Sequence, residues 1–361
     1  MNGVLIIDKP SGLTSHDVVN RVRRILGQRS VGHLGTLDPM ATGVLPLVLG
    51  SYTRLAQFYT TSEKTYEGSI RFGFATDTYD AEGEPTTTTR PVDLKLESLQ
   101  QLSTEFLGQI EQTPPPFSAK KIQGVPAYKL ARKSHPVDLK PVQVEIKEFT
   151  ITTCEKDRAT FQARVASGTY MRSVAHDMGQ RLGCGAHLAT LRRTSAAEFD
   201  LTQAHTLVEL QSRCADSNPT RSDRDSSPCH SEHAQSAGEE PNVTPTPPQQ
   251  PKLTKNHAAS QAVQQLLIHP RQLLPQLPSV TADEITTAHI RNGRPINLPD
   301  LSRARQVKVF ANQRDLVAIA TRIAGTLFHP KIVFPAESPE PPPASVAENA
   351  SGRQIKKFAE K

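Results

Sequence analysis

The chain has 361 residues, of which 36% are hydrophobic and 5% aromatic, and it contains no tryptophan. This is enough apolar material for at least one sizeable core, and the length corresponds to one to three domains. Lysine and arginine outnumber aspartate and glutamate by 42 to 36, so the net charge of +6 suits a polyanionic partner. Every apolar run falls short of the roughly 18–20 residues that cross a bilayer, and we expect a cytoplasmic protein without a membrane segment.

The four cysteines show neither a CxxC spacing nor the second pair that a zinc site requires. Cys184 with His187, and Cys229 with His230 and His233, are isolated half-sites. The sequence also has no Rossmann or P-loop glycine motif. We therefore predict reduced thiols, no bound metal and no nucleotide cofactor.

The amino-terminal elements are well marked. Thr14 and Asp17 have the spacing of a capping box and precede a helix that is apolar on one face. The segment "VLPLVLG" predicts a buried strand, and "TYEGSIRFGF" alternates with period two, as a half-buried strand does. Tyr66 opens that second strand on its apolar side.

Strands and helices alternate through the middle of the chain. Residues 94–107 predict a helix, and "VQVEIKEFTI" and "TFQARVA" predict strands. The segment "SGTYMRSVAHDMGQRLG" has helical periodicity, with Gly183 placed to end the helix. Arg172 is expected in its first turn, beside the buried stripe rather than on it.

The composition divides the chain into five segments. Residues 211–261 are polar and contain almost no large apolar side chain, so they predict a disordered linker. Order is expected to return in 262–278, which completes the domain formed by residues 1–210. A compact unit follows in 279–334, whose helix is predicted to start at a Thr281–Glu284 capping box; the proline-rich tail 335–361 predicts no fixed structure.

The stretch "GHLGTLDPMATG", residues 32–43, surrounds one carboxylate with glycines. Pro39 disfavours helical geometry at Asp38, and the glycines permit tight turns or close approach by a ligand. This pattern indicates a rigid loop that presents one side chain. On the residues alone, Asp38 is either a catalytic group or an ordinary turn-forming aspartate.

This loop and four further segments resemble the motifs of the TruB-type tRNA pseudouridine synthases. The five motifs lie in the order that the family has, across nearly all of residues 2–210. A single short motif would be weak, whereas five in register are specific. The segments are "NGVLIIDKPSGLTSHDVV", "GHLGTLDPMATGVLP", "EKTYEGSIRFGFATDTYDAEG", "PPPFSAKKIQGVPAYKLAR" and "ASGTYMRSVAHDMGQRLGCGAHLATLRRT".

The resemblance implies an α+β fold, with a mixed, mainly antiparallel central sheet flanked by helices. The unit 279–334 is placed like the family's small, β-rich PUA-type RNA-binding domain. The implied activity is isomerisation of uridine 55 in the T-loop of tRNA to pseudouridine, by an enzyme without cofactor or metal. Because the target base is stacked in the loop, it is expected to flip out first.

The resemblance also implies roles for individual residues. Asp38 matches the essential aspartate, acting either on the sugar as a nucleophile or on its C2′ proton as a base. Arg172 matches the arginine that pairs with this aspartate, and we expect the pairing to lower the pKa of Asp38. Tyr66 matches the active-site tyrosine, which stacks on the base. Without the motif, Arg172 would be a surface arginine and Tyr66 a core residue.

The remaining candidates are expected to bind or support the substrate. His33 matches the histidine that favours the flipped nucleotide, and Leu191 matches a leucine of the uracil pocket. Lys9 matches a lysine that supports the catalytic loop. Six basic residues next to the motifs are candidates, as a group, for contacts with phosphates: Lys64, Lys120, Lys121, Arg132, Arg192 and Arg193.

Two other functions remain open from sequence. The same scaffold could serve a non-catalytic RNA-binding or RNA-folding protein, or a synthase that uses guide RNA and protein partners. The Asp38, Tyr66 and Arg172 set favours an enzyme, and the opening motif at residue 2 favours the stand-alone form. We therefore expect a monomer that acts on the tRNA T-arm without an obligatory protein partner.

Overall fold

The computed structural model describes residues 1–118, 121–122, 125–126, 139–216, 263–301 and 303–336. Within these residues the fold is α+β, as predicted. Nine of the described strands form one sheet: β1 Gly3–Lys9, β2 Val31–His33, β3 Thr42–Leu49, β4 Lys64–Phe72, β5 Gly108–Gln112, β8 Val142–Glu155, β9 Arg158–Val165, β10 Ala186–Ala196 and β11 Phe199–Asp200. Their order is β1-β3-β10-β4-β9-β8-β5, with β2 paired to β3 and β11 to β10. All pairings in it are antiparallel except β10 with β3.

Helices cover one face of this sheet. They are α1 Ser15–Leu26, α2 Leu96–Thr104, α3 Met171–Arg181 and α4 Leu207–Asp216. A 3₁₀ helix, Gly50–Phe58, lies on the other face, where it buries Tyr52 and Leu55. Alternation along β1 directs Leu5 and Ile7 into the core beneath the helices, and Val4 and Ile6 into a second core on the opposite face. The capping box of Thr14 and Asp17 at the start of α1 is confirmed.

The carboxy-terminal unit has its own sheet, in the order β12-β14-β15-β16-β13. Phe310 and Phe334 of this unit enter the second core, where the Phe334 ring lies 5.2 Å from that of Tyr52. The small unit therefore packs directly on the main sheet. Its elements are β12 Ser279–Thr281, α5 Glu284–Arg291, β13 Ile296–Asn297, β14 Gln306–Phe310, β15 Leu316–Ala324 and β16 Leu327–Val333; the hairpin strands β6 Lys121–Ile122 and β7 Val125–Pro126 stand apart.

Two sequence predictions about element ends are wrong. Helix α4 continues to Asp216, past the boundary expected at residue 211. Helix α5 is capped by Asp283, whose side chain accepts from the Thr286 N–H at 2.7 Å, and not by a Thr281–Glu284 box. Thr281 is unavailable because it belongs to β12. Residues 217–261 of the predicted linker, residue 262 of the predicted return segment and the tail from residue 337 lie outside the described residues.

Candidate active site

The loop that carries Asp38 is held by side chains from two neighbouring segments. The Lys9 ammonium is fully buried and donates to the carbonyls of Pro39 (3.0 Å), Leu13 (2.6 Å) and Pro10 (2.9 Å). Ser15 accepts from the Leu37 N–H at 2.8 Å, and its hydroxyl donates to the Leu37 carbonyl at 3.1 Å. The backbone is thus anchored on both sides of Asp38, consistent with the support expected from Lys9.

A second anchor comes from Arg193 on β10. Its guanidinium donates to the carbonyls of Val44 (2.7 Å), Gly35 (3.1 Å) and Thr36 (3.3 Å), and the residue is 1% exposed. Gly43 has φ +100°, and a Cβ placed there would lie 2.2 Å from the Arg193 carbonyl oxygen. Because the Arg193 guanidinium donates to three backbone carbonyls, we infer that its main role is to hold the loop, and the predicted contact with phosphate stays a prediction.

Arg172 meets the Asp38 carboxylate at the floor of the site. Arg172 Nε lies 2.9 Å from Asp38 Oδ2, and Nη2 donates to Oδ1 at 3.2 Å. The arginine is 5% exposed, whereas the Asp38 side chain keeps 33% of its surface open. Arg172 was expected beside the buried stripe of α3; it is instead buried, because its partners come from loops far away in sequence.

Three other groups fix the guanidinium from behind. Nη1 donates to the Thr78 carbonyl at 3.1 Å, and Nη2 donates to the Phe117 carbonyl at 3.0 Å. Asp80, 3% exposed, places Oδ2 3.5 Å from Nη1. The Asp80 carboxylate also accepts from the Thr78 hydroxyl at 2.5 Å. Arg172 is therefore a buried cation between two carboxylates, and only Asp38 reaches the cavity.

These surroundings act on the pKa of Asp38 in opposite directions. Burial raises the pKa of this carboxyl, the Arg172 guanidinium lowers it, and the nearby Asp80 charge raises it again. The net direction is upward from the usual aspartate value. The sequence-based expectation that pairing with arginine would lower the pKa is therefore wrong, because it took no account of burial or of a second carboxylate.

Asp38, Arg172 and Tyr66 line one cavity of about 450 Å³. His33, Lys64, Leu191 and Arg193 share its wall, so seven of the predicted residues meet there. Tyr66 and Leu191 are each 9% exposed and come from adjacent strands, β4 and β10. The volume lies within the range of roughly 300–1,000 Å³ that small-molecule sites have.

Burial changes the pKa values of two titratable residues in this wall, Lys64 and His33. Burial lowers the pKa of Lys64 to about 8, with the Arg193 charge acting in the same direction. Burial also lowers the pKa of His33, so its ring is neutral at neutral pH. His33 Nδ1 accepts from the Gly35 N–H at 3.4 Å, which ties the ring to the Asp38 loop.

Arg192, another predicted phosphate contact, is not among the residues that line this cavity. Arg192 follows Leu191 on β10 and pairs with Asp8, at 2.8 Å from Nη2 to Oδ2. Strand alternation explains this, because neighbours along β10 point to opposite faces. Lys120 and Arg132 lie outside the described residues, and of Lys121 only the backbone position in β6 is described.

Sequence reasoning missed Asp80, the buried carboxylate beside Arg172. It lies in "TDTYDAEGE", where Asp77, Glu82 and Glu84 are equally acidic, and a single sequence does not distinguish the buried carboxylate from exposed ones. Arg193 lies two residues after Leu191 on β10, so strand alternation puts both side chains on the same face. Within the described residues no cluster of three or more His, Cys, Asp or Glu could hold a metal ion. The described helices are also all too short or too polar to cross a membrane.

Comparison with known proteins gives matches along most of the chain. Residues 23–171 match the family model described as TruB family pseudouridylate synthase, N-terminal domain. Residues 172–225 match the model of the tRNA pseudouridylate synthase B C-terminal domain. A tRNA pseudouridine synthase B of Solibacter usitatus is 45% identical over 92% of this chain and 100% of its own length. One of Aquifex aeolicus is 45% identical over 59% of this chain and 74% of its own length.

Solved structures show the same fold at lower identity. A structure of an H/ACA RNP bound to a substrate RNA containing 2′-deoxyuridine is 21% identical, covers 93% of this chain and 86% of its own, and gives a TM-score of 0.61. A Cbf5-Nop10-Gar1 complex is 23% identical, covers 90% and 79%, and gives a TM-score of 0.59. These likenesses support the predicted fold class.

Proposed function

Because this chain belongs to the TruB family of pseudouridylate synthases, and so to the isomerases that make pseudouridine in tRNA, we propose that it acts on uridine 55 of the T-loop. Asp38 is the essential carboxylate. The observation that carries this proposal is one cavity that Asp38 and Tyr66 line together, in which the partly exposed Asp38 carboxylate is held by the buried Arg172.

The reaction defines what Asp38 must do. The bond between N1 of uracil and C1′ of the ribose breaks, the uracil turns and C5 bonds to C1′. The C5 proton leaves and N1 takes up a proton, so substrate and product have the same atoms. Either route, attack on the sugar or removal of the C2′ proton, needs the ionised carboxylate. Arg172 holds that carboxylate in one direction with the fork of its guanidinium, and the anchored loop around it prevents drift.

The walls of the cavity suit a pyrimidine that has left its stack. Tyr66 and Leu191 present apolar surface to the base, and the neutral His33 ring stands at the catalytic loop without a charge of its own. Lys64 supplies a cation on the same wall, suited to a phosphate of the flipped nucleotide. Base flipping exposes C1′ and C5 to Asp38 and Tyr66.

We assign binding of the tRNA to basic residues of the small carboxy-terminal unit as well as to those at the rim of the cavity. Residues 279–334 contain eight lysines and arginines against four aspartates and glutamates. We propose that this β-rich unit is a PUA-like RNA-binding domain. Its packing on the main sheet through Phe310 and Phe334 keeps that charge in a fixed relation to the site.

The test is a position-resolved assay with the pure chain. Purified protein is incubated with an unmodified T-arm stem-loop in the presence of EDTA, and pseudouridine is mapped along the RNA. A stem-loop with cytidine in place of the target uridine is the matched control. We expect one pseudouridine, at position 55, and none in the control. Modification at another uridine, or activity only after other proteins, guide RNA or metal are added, contradicts the proposal.

A further inference from the structure

An aromatic pair lies directly behind the arginine of the site. The Tyr79 and His176 rings stack with centroids 3.8 Å apart and an interplanar angle of 13°. Tyr79 belongs to the loop that supplies the Thr78 carbonyl and Asp80 to Arg172. His176 belongs to α3, four residues after Arg172 and so on the same helical face. The stack therefore joins the two segments whose relative position sets the guanidinium.

The backbone at Tyr79 indicates that its side chain is needed. Its φ is +64°, in the left-handed region, which is rare for a large residue with a Cβ. Such a conformation persists only where the surroundings hold it, and these residues cluster at functional sites. Two hydrogen bonds do so here: Tyr79 N–H to the Thr76 carbonyl (3.3 Å) and Leu188 N–H to the Tyr79 carbonyl (3.0 Å).

The loop is thus fixed on both sides. Its backbone is tied to β10 through Leu188, and the Thr76 hydroxyl donates to the Asp80 carbonyl at 2.7 Å. The Tyr79 ring is tied to α3 through His176. Burial lowers the pKa of His176, which keeps the imidazole neutral and suited to face-to-face contact with the tyrosine ring. These contacts hold Thr78 and Asp80, on either side of Tyr79, in place beside Arg172.

We propose that Tyr79 and His176 form a positioning pair for the isomerisation, which holds the Thr78–Asp80 backbone against α3 so that Arg172 presents its fork to Asp38. Neither ring is among the residues that line the active-site cavity, so they are positioning and not catalytic residues. The inference rests on the proposed roles of Asp38 and Arg172. It predicts that loss of the stack slows the chemical step while tRNA binding stays the same.

The experiment compares stack-breaking and stack-preserving variants in single-turnover reactions with unmodified tRNA. Tyr79→Ala and His176→Ala are expected to lower the rate constant by about 10- to 100-fold, as a misplacement near 1 Å does, with tRNA affinity within about twofold of wild type. Tyr79→Phe and His176→Phe keep an aromatic pair and are expected to stay within about threefold. The double alanine variant should be no slower than the worse single variant, because the two rings act as one unit.

A second aromatic–histidine pair supplies the matched control. Phe74 lies at the start of the same loop, and its ring centroid is 4.6 Å from that of His187 in β10. His187 Nδ1 lies 3.1 Å from the Phe74 carbonyl oxygen, and neither residue makes a hydrogen bond or ion pair with Arg172 among those described. Phe74→Ala is expected to lower the melting temperature with the rate constant unchanged.

Three outcomes overturn the inference. One is a wild-type rate in Tyr79→Ala, and another is an equal loss in Tyr79→Phe. The third is a loss in Tyr79→Ala that is matched by Phe74→Ala and scales with stability. Each of these leaves the proposed function intact as long as Asp38→Asn is inactive. An active Asp38→Asn variant would instead refute the proposed function itself.

Discussion

Replacing Asp80 with asparagine removes one of the two carboxylates around Arg172 while keeping the size of the side chain. At the 3.5 Å separation of Asp80 Oδ2 and Arg172 Nη1, a pair of unit charges interacts by about 5 kcal/mol at an effective dielectric constant near 20. Much of this is offset, because the substitution also removes the free energy needed to bury a charge on a residue that is 3% exposed. The asparagine oxygen still accepts from the Thr78 hydroxyl. We expect a net loss of about 1–3 kcal/mol in the free energy of unfolding.

The same substitution has two effects on the reaction, and they differ in sign. Arg172 loses a partner that fixes its orientation, so the single-turnover rate constant should fall by about 10- to 100-fold. The pKa of Asp38 should fall as well, because Asp80 is one of the groups that raise it. The reactive form is the carboxylate, so activity is complete above that pKa and is lost as pH falls through it. The acid limb should therefore lie above the usual aspartate range in the wild type and move to lower pH in Asp80→Asn.

The assay is the rate of pseudouridine formation against pH for the wild type, Asp80→Asn and Asp77→Asn. Asp77 is an exposed residue of the same loop whose carboxylate accepts from the Glu84 N–H at 2.9 Å, so it controls for changes to the loop alone. An Asp80→Asn enzyme with wild-type rate and an unmoved acid limb would refute the electrostatic reasoning. So would a matching shift in Asp77→Asn.

Two further predictions concern the anchors of the catalytic loop. Arg193→Met removes the hydrogen bonds that Arg193 donates to three carbonyls, and it should lower the free energy of unfolding by about 3 kcal/mol in urea titration. Since Arg193 is buried, the dependence of tRNA affinity on salt concentration should be the same in this variant as in the wild type. A weaker salt dependence in the variant would show that Arg193 contacts a phosphate. Gly43→Ala forces a Cβ within 2.2 Å of the Arg193 carbonyl oxygen, whereas Gly183→Ala, also at positive φ (+66°), meets no atom within 4 Å. Gly183→Ala should cost about 1 kcal/mol and leave activity unchanged, and Gly43→Ala should lose considerably more stability together with its activity; equal losses in the two variants would contradict the packing argument.

Local signals in the sequence were read correctly where neighbouring residues decide the structure. The capping box at Thr14 and Asp17 depends on contacts three residues apart, and the alternation in "TFQARVA" depends on a single strand, so both could be predicted. The wrong cap of α5 shows the limit of such signals, because pairing of Thr281 with β14 overrides its capping preference.

The site could be predicted only in part, because its energetics depend on distant residues. Arg172 is buried by the carbonyls of Thr78 and Phe117, 94 and 55 residues away in the chain, and helical periodicity carries no information about them. The raised pKa of Asp38 requires both its burial and the position of Asp80. The resemblance supplied Asp38, Tyr66 and Arg172 as a set, but it did not supply the second carboxylate that completes the arginine's surroundings.

The most direct measurement of the central claim is release of tritium from tRNA carrying [5-³H]uridine, compared between the wild type and Asp38→Asn. The reaction replaces the C5–H bond with a bond to C1′, so each isomerisation releases one label. The variant keeps the shape of the side chain and the Arg172 contact at Oδ1 but cannot act as an anion. We predict no release above background, with tRNA affinity within about twofold of wild type; release at the wild-type rate would contradict the role of Asp38 and everything built on it.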